Sequence, residues 1–250
     1  MEKLKVSTFN IQNSNSPTSN KWERRMDAAC EFITIEDLDI IGTQELTPNA
    51  KNYLEKNLKN YHIIGDTRGS IGITDEYNSI LLKKDLFDIM EFETYALSNT
   101  IYTKGTKFFG DSFPRICTMG KLKTKNNLYL VLNTHLDNVP GKHRKKELEV
   151  LSEIIDINKE NDIQIILTGD FNMRLKDKSL LEKFRLENNF KDAVLTTSGS
   201  SFRNFNQKLP IDHIFYSDGL EMVNSKMIDK QYSGVYPSDH FPMVTTLKHK

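Results

Sequence analysis

Leu4, Val6 and Thr8 alternate with Lys5, Ser7 and Phe9 along "LKVSTFN", a period of two that predicts a strand. After the polar loop "NSNSPTSN" the period lengthens. A helix is expected to start near Asn20, with Trp22, Met26, Ala29 and Ile33 on one face. "LDIIGTQE" reads as a short buried strand, and "TPNAKNYLEKNL" offers Thr47 as N-cap with Pro48 at the first helical position. "YNSILLKKDLFDIMEFETYAL" reads as two strands broken at Lys83-Lys84-Asp85, and "PRICTMGKLKTKNNLYLVLNTHL" as a hairpin turning near Lys125-Asn126-Asn127. Lys142 to Lys159 is the clearest helix, with Leu148, Leu151, Ile154 and Ile155 inward, and "SLLEKFRLENN" is another. The tail alternates again in "IDHIFYSD" and "FPMVTTLK". Frequent hairpins argue against an all-parallel sheet; two mixed β-sheets packed face to face and flanked by helices accommodate the pattern. No repeat or linker divides it, so one domain over residues 1–250 is expected.

Composition narrows the class. Hydrophobic content of 38% beside 27% charged residues fits a globular chain with a core. Lys+Arg and Asp+Glu both number 34, giving zero formal net charge. That removes the broad basic footprint of a general nucleic-acid binder, though a local basic patch stays open. Cys30 and Cys117 are too few for a disulfide framework and read as small core fillers. Neither a signal peptide nor a membrane span is read in the sequence, so a reducing, cytoplasmic setting is the expectation.

The chemistry gathers where strands end. "IQIILTGDFN" runs apolar and then delivers Asp170 and Asn172. A carboxylate at the rim of a buried strand is costly unless something pairs with it. Alone, an Asx turn is the better explanation. Five other strand ends repeat the feature: "LKVSTFN" delivers Asn10, "LDIIGTQE" Glu45, and "LYLVLNTH" Asn133 and His135. "IDHIF" opens on Asp212 and His213, and "YPSDHFP" places Asp239 and His240 before the last strand. Hard oxygen ligands with imidazoles suit a magnesium-type ion beside a phosphate. No Cys-x-x-Cys or His-Glu-x-x-His occurs, which argues against a dedicated zinc cage.

"TFNI", "QE", "NTHL", "GDFN", "IDHIF" and "SDH", in this order, resemble the motifs of the endonuclease/exonuclease/phosphatase superfamily. The resemblance spans Asn10 to His240, and "EYNSILL", "FPRICT" and "YPSDHFP" resemble a bacterial branch of unassigned substrate. It implies a four-layer α/β/β/α sandwich of two mixed β-sheets flanked by helices. It also implies Glu45 as principal metal ligand, with Asn10 joining it or contacting the adjoining water, and Asp239 on the metal side. By the same resemblance Asp170 holds or deprotonates the attacking water, and Asn172 orients water and a phosphate oxygen. His135 and His240 flank the scissile phosphate, Asp212 fixes His240, and Glu76 orients His135. Arg115 matches an arginine of the branch, with a substrate role or a structural salt bridge both open, and Asn133 is expected to contact substrate.

The blander readings stay beside these. Asn10 alone could simply terminate its strand, whereas Glu45 at the end of a buried run is harder to explain so. His213 is expected to be structural, and His62, His143 and His249 to lie on the surface. Tyr102, Phe108, Phe109 and Phe113 in "SNTIYTKGTKFFGDSFPR" either stack on substrate or pack their loop down. Lys142, Arg144, Lys145 and Lys146 crowd a helix N-terminus, where the dipole disfavours cations, as a solvated face or leaning toward a phosphorylated substrate. "GSSFRNF" replaces a "TFHGF"-like stretch of the branch and lacks its histidine. The expected activity is a Mg²⁺-dependent phosphoric ester hydrolase, with Mn²⁺ as a substitute, acting as a monomer on a phosphate ester of modest size. A nuclease acting on DNA or RNA, as an abasic-site endonuclease or exonuclease, is the alternative. A binding module without turnover is a third reading, disfavoured because every expected catalytic position is filled.

Overall fold

Strand alternation sorts side chains into three cores. In β1 (Lys3–Asn10) Leu4 and Val6 point one way and Phe9 the other. The computed structural model describes residues 2–17, 21–70, 72, 75–139, 141–173, 177–194, 199–203 and 210–250. The expected helix start at Asn20, and Asn204 and Phe205 of "GSSFRNF", lie outside them.

The first sheet contains β1, β2 (Ile40–Gln44), β3 (Tyr61–Ile64), β4 (Ile80–Lys83), β11 (Leu220–Met227) and β12 (Met243–His249). Its order is β11-β12-β1-β2-β4-β3, with β1 and β2 parallel and β12 antiparallel to β1. The second contains β5 (Asp88–Ala96), β6 (Ile116–Lys123), β7 (Leu128–His135), β8 (Gln164–Asp170), β9 (Lys191–Asp192) and β10 (Asp212–Tyr216). Its order is β5-β6-β7-β8-β10-β9. Helices α1 (Trp22–Glu36) and α2 (Pro48–Asn57) cover the first sheet through Met26, Ala29, Phe32 and Leu54. Helices α3 (Lys142–Asn158) and α4 (Lys178–Glu187) cover the second through Leu148, Leu151, Ile154 and Phe184. Between the sheets lie Val6, Ile40, Ile80, Val131, Ile166 and Ile214. The layers are therefore α/β/β/α, as expected.

Local signals are obeyed closely. The Thr47 hydroxyl caps α2 by accepting from the Ala50 N–H. The break at Lys83-Lys84-Asp85 is where the chain leaves one sheet for the other, since β4 pairs with β2 and β5 with β6. Three strands lacked a sequence signal. β3, β9 and β11 stand at or beside sheet edges, and β11 is largely exposed, so a sustained apolar period was unnecessary. Both cysteines are free: Cys117 is buried, and burial pushes the Cys30 thiol up to about 12. Among the described residues no helix is long and apolar enough to cross a membrane.

Several polar residues are structural where a surface or substrate role was expected. His143 is buried and bonded to Asp111, and His249 meets the Tyr129 hydroxyl at 2.7 Å; His62 is exposed as expected. Arg144 is buried, bonding Asp177 Oδ2 at 2.8 Å and the Asp137 carbonyl at 2.9 Å, whereas Lys142, Lys145 and Lys146 stay exposed.

The main correction is Asn133, whose side chain is wholly buried between the sheets. Its amide nitrogen donates to the Thr43 carbonyl at 2.8 Å and the Ser79 carbonyl at 3.0 Å. Its oxygen accepts from Gln44 Nε2 at 2.7 Å and Thr168 Oγ1 at 3.1 Å. Every polar valence is thus spent inside, leaving none for substrate. A Cβ added at Gly42 would lie 2.0 Å from Thr168 Oγ1 and 2.6 Å from Asn133 Oδ1, so the close approach of the sheets requires glycine there. Asn133→Leu strands several buried donors and acceptors, and a loss of about 2–4 kcal/mol in unfolding free energy is expected. Urea denaturation checks this; an unchanged midpoint and slope would mean that the amide does not tie the sheets.

Candidate active site

The site is built from one rung of each sheet. Strand register places His135 beside Asp170 and Asp170 beside Asp212, across β7, β8 and β10. Each lies two residues along its strand's period from a neighbour on the inter-sheet face, such as Thr168 before Asp170 and Ile214 after Asp212. From the other sheet, Asn10 ends β1 and Glu45 follows β2, while Asp239 and His240 precede β12. The Asn10 amide nitrogen bridges the sheets, donating to Glu45 Oε1 at 3.0 Å and Asp170 Oδ2 at 3.1 Å. Its oxygen accepts from the Gln12 N–H at 3.0 Å. Except for Asn10, Asn133 and Asp212, the expected site residues open on one cavity of about 600 Å³.

The chain bends sharply at this end of the sandwich. Gln12, Glu45 and Asn172, each just beyond a strand, have φ of 60°, 59° and 50°. Left-handed backbone without glycine is held only where its surroundings compensate the strain. Here the Asp170 carboxylate accepts the Asn172 N–H at 2.9 Å, and Glu45 Oε2 accepts the Asn13 N–H at 2.8 Å. Arg25 of α1 holds the third turn, donating to Gln12 Oε1 at 2.6 Å.

Burial makes the charges interdependent. Burial and the neighbouring Asp212 carboxylate push Asp170 up to about 7, against His240 and hydrogen bonds from Asn172 and Asn10. Burial disfavours the His240 imidazolium, but Asp212, hydrogen-bonded to Nδ1 at 2.9 Å, outweighs it with help from Asp170 and Asp239, raising the ring to about 10. His135 goes the other way: burial, with Arg115, His240 and Arg68 adding repulsion, holds it well below the usual histidine range. One imidazole is therefore charged near neutrality and the other neutral. The Asn172 amide nitrogen donates to the Leu136 carbonyl at 2.9 Å and meets His135 Nε2 at 3.0 Å, so Nε2 is the acceptor and the ring proton sits on Nδ1.

The donor set fits a hard divalent cation. Glu45, Asp239 and Asp170 bring carboxylate oxygens to one side of the cavity, with Asn10 among them. Burial and the Glu45 charge raise Asp239, and burial and Glu45 likewise raise Glu76, a repulsion that a cation would relieve. Asp170, Asp212 and His240 place possible ligand atoms within 4.8 Å of one another.

Glu76 needs correction. It accepts from Asn13 Nδ2 at 2.6 Å and pairs with Arg68 Nη1 at 2.8 Å, while His135 Nδ1 has no hydrogen-bond partner. His213, expected to be structural, pairs with Asp192 at 2.8 Å and stacks on Phe215. Of the four loop aromatics only Phe113 lines the cavity; Phe108 is buried, and Tyr102 and Phe109 are exposed. Residues without a sequence signal include Gln12, Asn13 and Arg68, which reach the cavity from loops, and Phe202, whose ring packs 4.9 Å from that of His240. The first two come just after Asn10 and Ile11 in "NIQN", the one local hint available.

Comparison with known proteins agrees with this geometry. The sequence model described as the Endonuclease/Exonuclease/phosphatase family matches residues 7–240. The solved structure of an endonuclease/exonuclease/phosphatase from Bacteroides vulgatus superposes with a TM-score of 0.88 at 26% identity, over 100% of this chain and 100% of that one. A mannosyl-6-phosphatase from Bacteroides thetaiotaomicron gives 0.87 at 28% identity, over 98% and 99%. Tyrosyl-DNA phosphodiesterase 2 of Bos taurus is 23% identical over 266 residues, 97% of this chain and 68% of that protein.

The charge on His240 depends on Asp212, and the dependence has a sign. With Asp212 intact the metal-free protein should keep its imidazolium until about pH 10. In Asp212→Asn burial is opposed only by weaker neighbours, so the midpoint should fall toward the ordinary value of 6.5. An NMR titration of the His240 ring reads this directly; the same midpoint in both proteins would show that Asp212 does not hold the proton.

Proposed function

The chain belongs to the endonuclease/exonuclease/phosphatase family, and from that premise we propose that it is a Mg²⁺-dependent hydrolase of phosphate esters of modest size. The observation that carries the reading is the convergence of Glu45, Asp170, Asp239, His135 and His240 on one cavity of about 600 Å³. Glu45 and Asp239, with Asp170 adjoining, are the residues that would hold the ion. When bound, such an ion neutralises charge developing on phosphoryl oxygens.

The chain's own residues supply the rest. Asp170, raised by burial and Asp212 to about 7, is poised to take the proton of an attacking water. His240 is protonated in this range and so donates to a phosphoryl oxygen rather than accepting a proton. Asn172, whose amide nitrogen is committed to Leu136 and His135, keeps its amide oxygen to accept from and orient the attacking water. Asp212 acts through His240 as a positioning residue.

A compact substrate is supported by the zero net charge and by a cavity whose rim carries Phe113 and Phe202. The basic helix start contributes none of its four cations to that cavity. The similar mannosyl-6-phosphatase bears a name of the same kind. A nuclease is the second reading, favoured by the match to tyrosyl-DNA phosphodiesterase 2 across 97% of the chain.

Glu45→Gln should abolish most Mg²⁺-dependent thermal stabilisation and severely weaken turnover while leaving the far-UV spectrum intact. A variant with the wild-type Mg²⁺ titration would remove Glu45 from the ligand set. A panel of phosphomonoesters and phosphodiesters with Mg²⁺, Mn²⁺ and chelator tests the activity itself; failure to hydrolyse any member would overturn the hydrolase reading.

Each DNA phosphate neutralised steepens the fall of log affinity with log salt by about 0.9. Binding to abasic, plain duplex and single-stranded DNA, with Ca²⁺ replacing Mg²⁺, should be weak near physiological salt. Tight binding with a slope of several phosphates would promote the nuclease.

A further inference from the structure

The cavity has a second polar wall, formed by groups with no part in the roles above. Arg115, just before β6, is 5% exposed, its ion pair with Asp137 Oδ1 is long at 3.6 Å, and its Nε has no hydrogen-bond partner. Arg68 reaches the same wall from a loop, held by Glu76 at 2.8 Å and lying 4.6 Å over the Phe113 ring. Both guanidinium groups line the main cavity with His135, and the three also enclose a small cleft beside Asn78.

His135 stands beside them, its Nδ1 buried and unpartnered. Burial lowers Arg68 and its partner Glu76 raises it, with repulsion from the Arg115 guanidinium group added to the first. Glu76, expected to orient His135, is engaged by Asn13 and Arg68. An anion held in the cavity against the two guanidinium groups would stand between their positive charges.

We propose that Arg115 and Arg68 form an anion pole that grips the dianionic phosphoryl group of a phosphate monoester and so selects monoesters over diesters. The proposal rests on the hydrolase reading and names its substrate class. A monoester presents three non-bridging oxygens and a second negative charge, which the guanidinium fork matches; a diester replaces one of those oxygens with an alkoxy arm.

Thermal-shift titrations of the Mg²⁺-loaded protein at mildly alkaline pH, with inorganic phosphate and with dimethyl phosphate, test the pole without turnover. Phosphate should stabilise the wild-type protein at concentrations at least about tenfold lower than dimethyl phosphate, and Arg115→Met should lose that difference. Rates on p-nitrophenyl phosphate and bis-p-nitrophenyl phosphate then give the ratio of kcat/KM for monoester to diester. That ratio should fall by about 30-fold or more in Arg115→Lys and in Arg68→Lys, through the monoester alone, because an ammonium cannot reproduce the fork. Equal binding of the two anions by the wild-type protein would overturn the proposal even if no variant folds, as would an unchanged ratio in folded variants. If neither ester is hydrolysed the hydrolase reading fails by itself, and the phosphate titration still decides the anion pole.

Discussion

Everything at the cavity depends on how closely the two sheets approach beneath it. Asn133 of one sheet bonds Gln44, Thr43 and Ser79 of the other, where Gly42 leaves room for no side chain. A buried amide with all its valences filled specifies one relative position of its partners, because any slip leaves donors and acceptors unpaired in a dry interface. That position sets Glu45 at the edge of one sheet against Asp170 and His135 at the edge of the other. The Asn10 bridge, spanning Glu45 and Asp170, repeats the tie one layer higher.

The cavity above this tie holds both signs of charge. Glu45, Glu76, Asp170 and Asp239 line it together with Arg68 and Arg115, and the two imidazoles stand in different charge states. Arg68 pairs with Glu76 and Arg115 more loosely with Asp137, whereas burial and Glu45 raise Asp239 against the pull of His240. The crowding of Glu45, Asp239 and Asp170 is a repulsion that a bound cation would relieve. Phosphoryl transfer is largely positioning and charge stabilisation, for which such a set of charges is suited.

The rim loop is held by chemistry away from the cavity. Asp137 accepts from the Ser112 N–H at 3.0 Å, Asp111 from the Phe108 N–H at 2.9 Å, and His143 bonds Asp111. Glu147, accepting the Asp137 N–H at 2.9 Å, is raised by burial to about 8, which keeps a third charge out of this cluster near neutrality. The acids fasten the segment that carries Phe113 and Arg115. Loop placement, and with it the shape of the cavity, is therefore tied to α3 and to the end of β7.

The amino-acid sequence by itself determined the layers and the strand ends that carry the chemistry, because both are local. Period-two runs such as "LKVSTFN", the Thr47-Pro48 helix start and the polar residues closing "IQIILTGDFN" are legible within a window of a few residues. The edge strands β3 and β11 were not, since an edge needs no sustained apolar period. Partnership was decided only by the tertiary structure. Asn133 and His135 occupy the same face of one strand, yet the first lies under Gly42 and the second opens on the cavity. Glu76 found Arg68 and Asn13 instead of His135, and Arg144 turned inward to Asp177. Asn10 meets Asp170 across 160 residues of chain. The energy of a buried polar group lies in which partner reaches it, and no local pattern encodes a partner that distant.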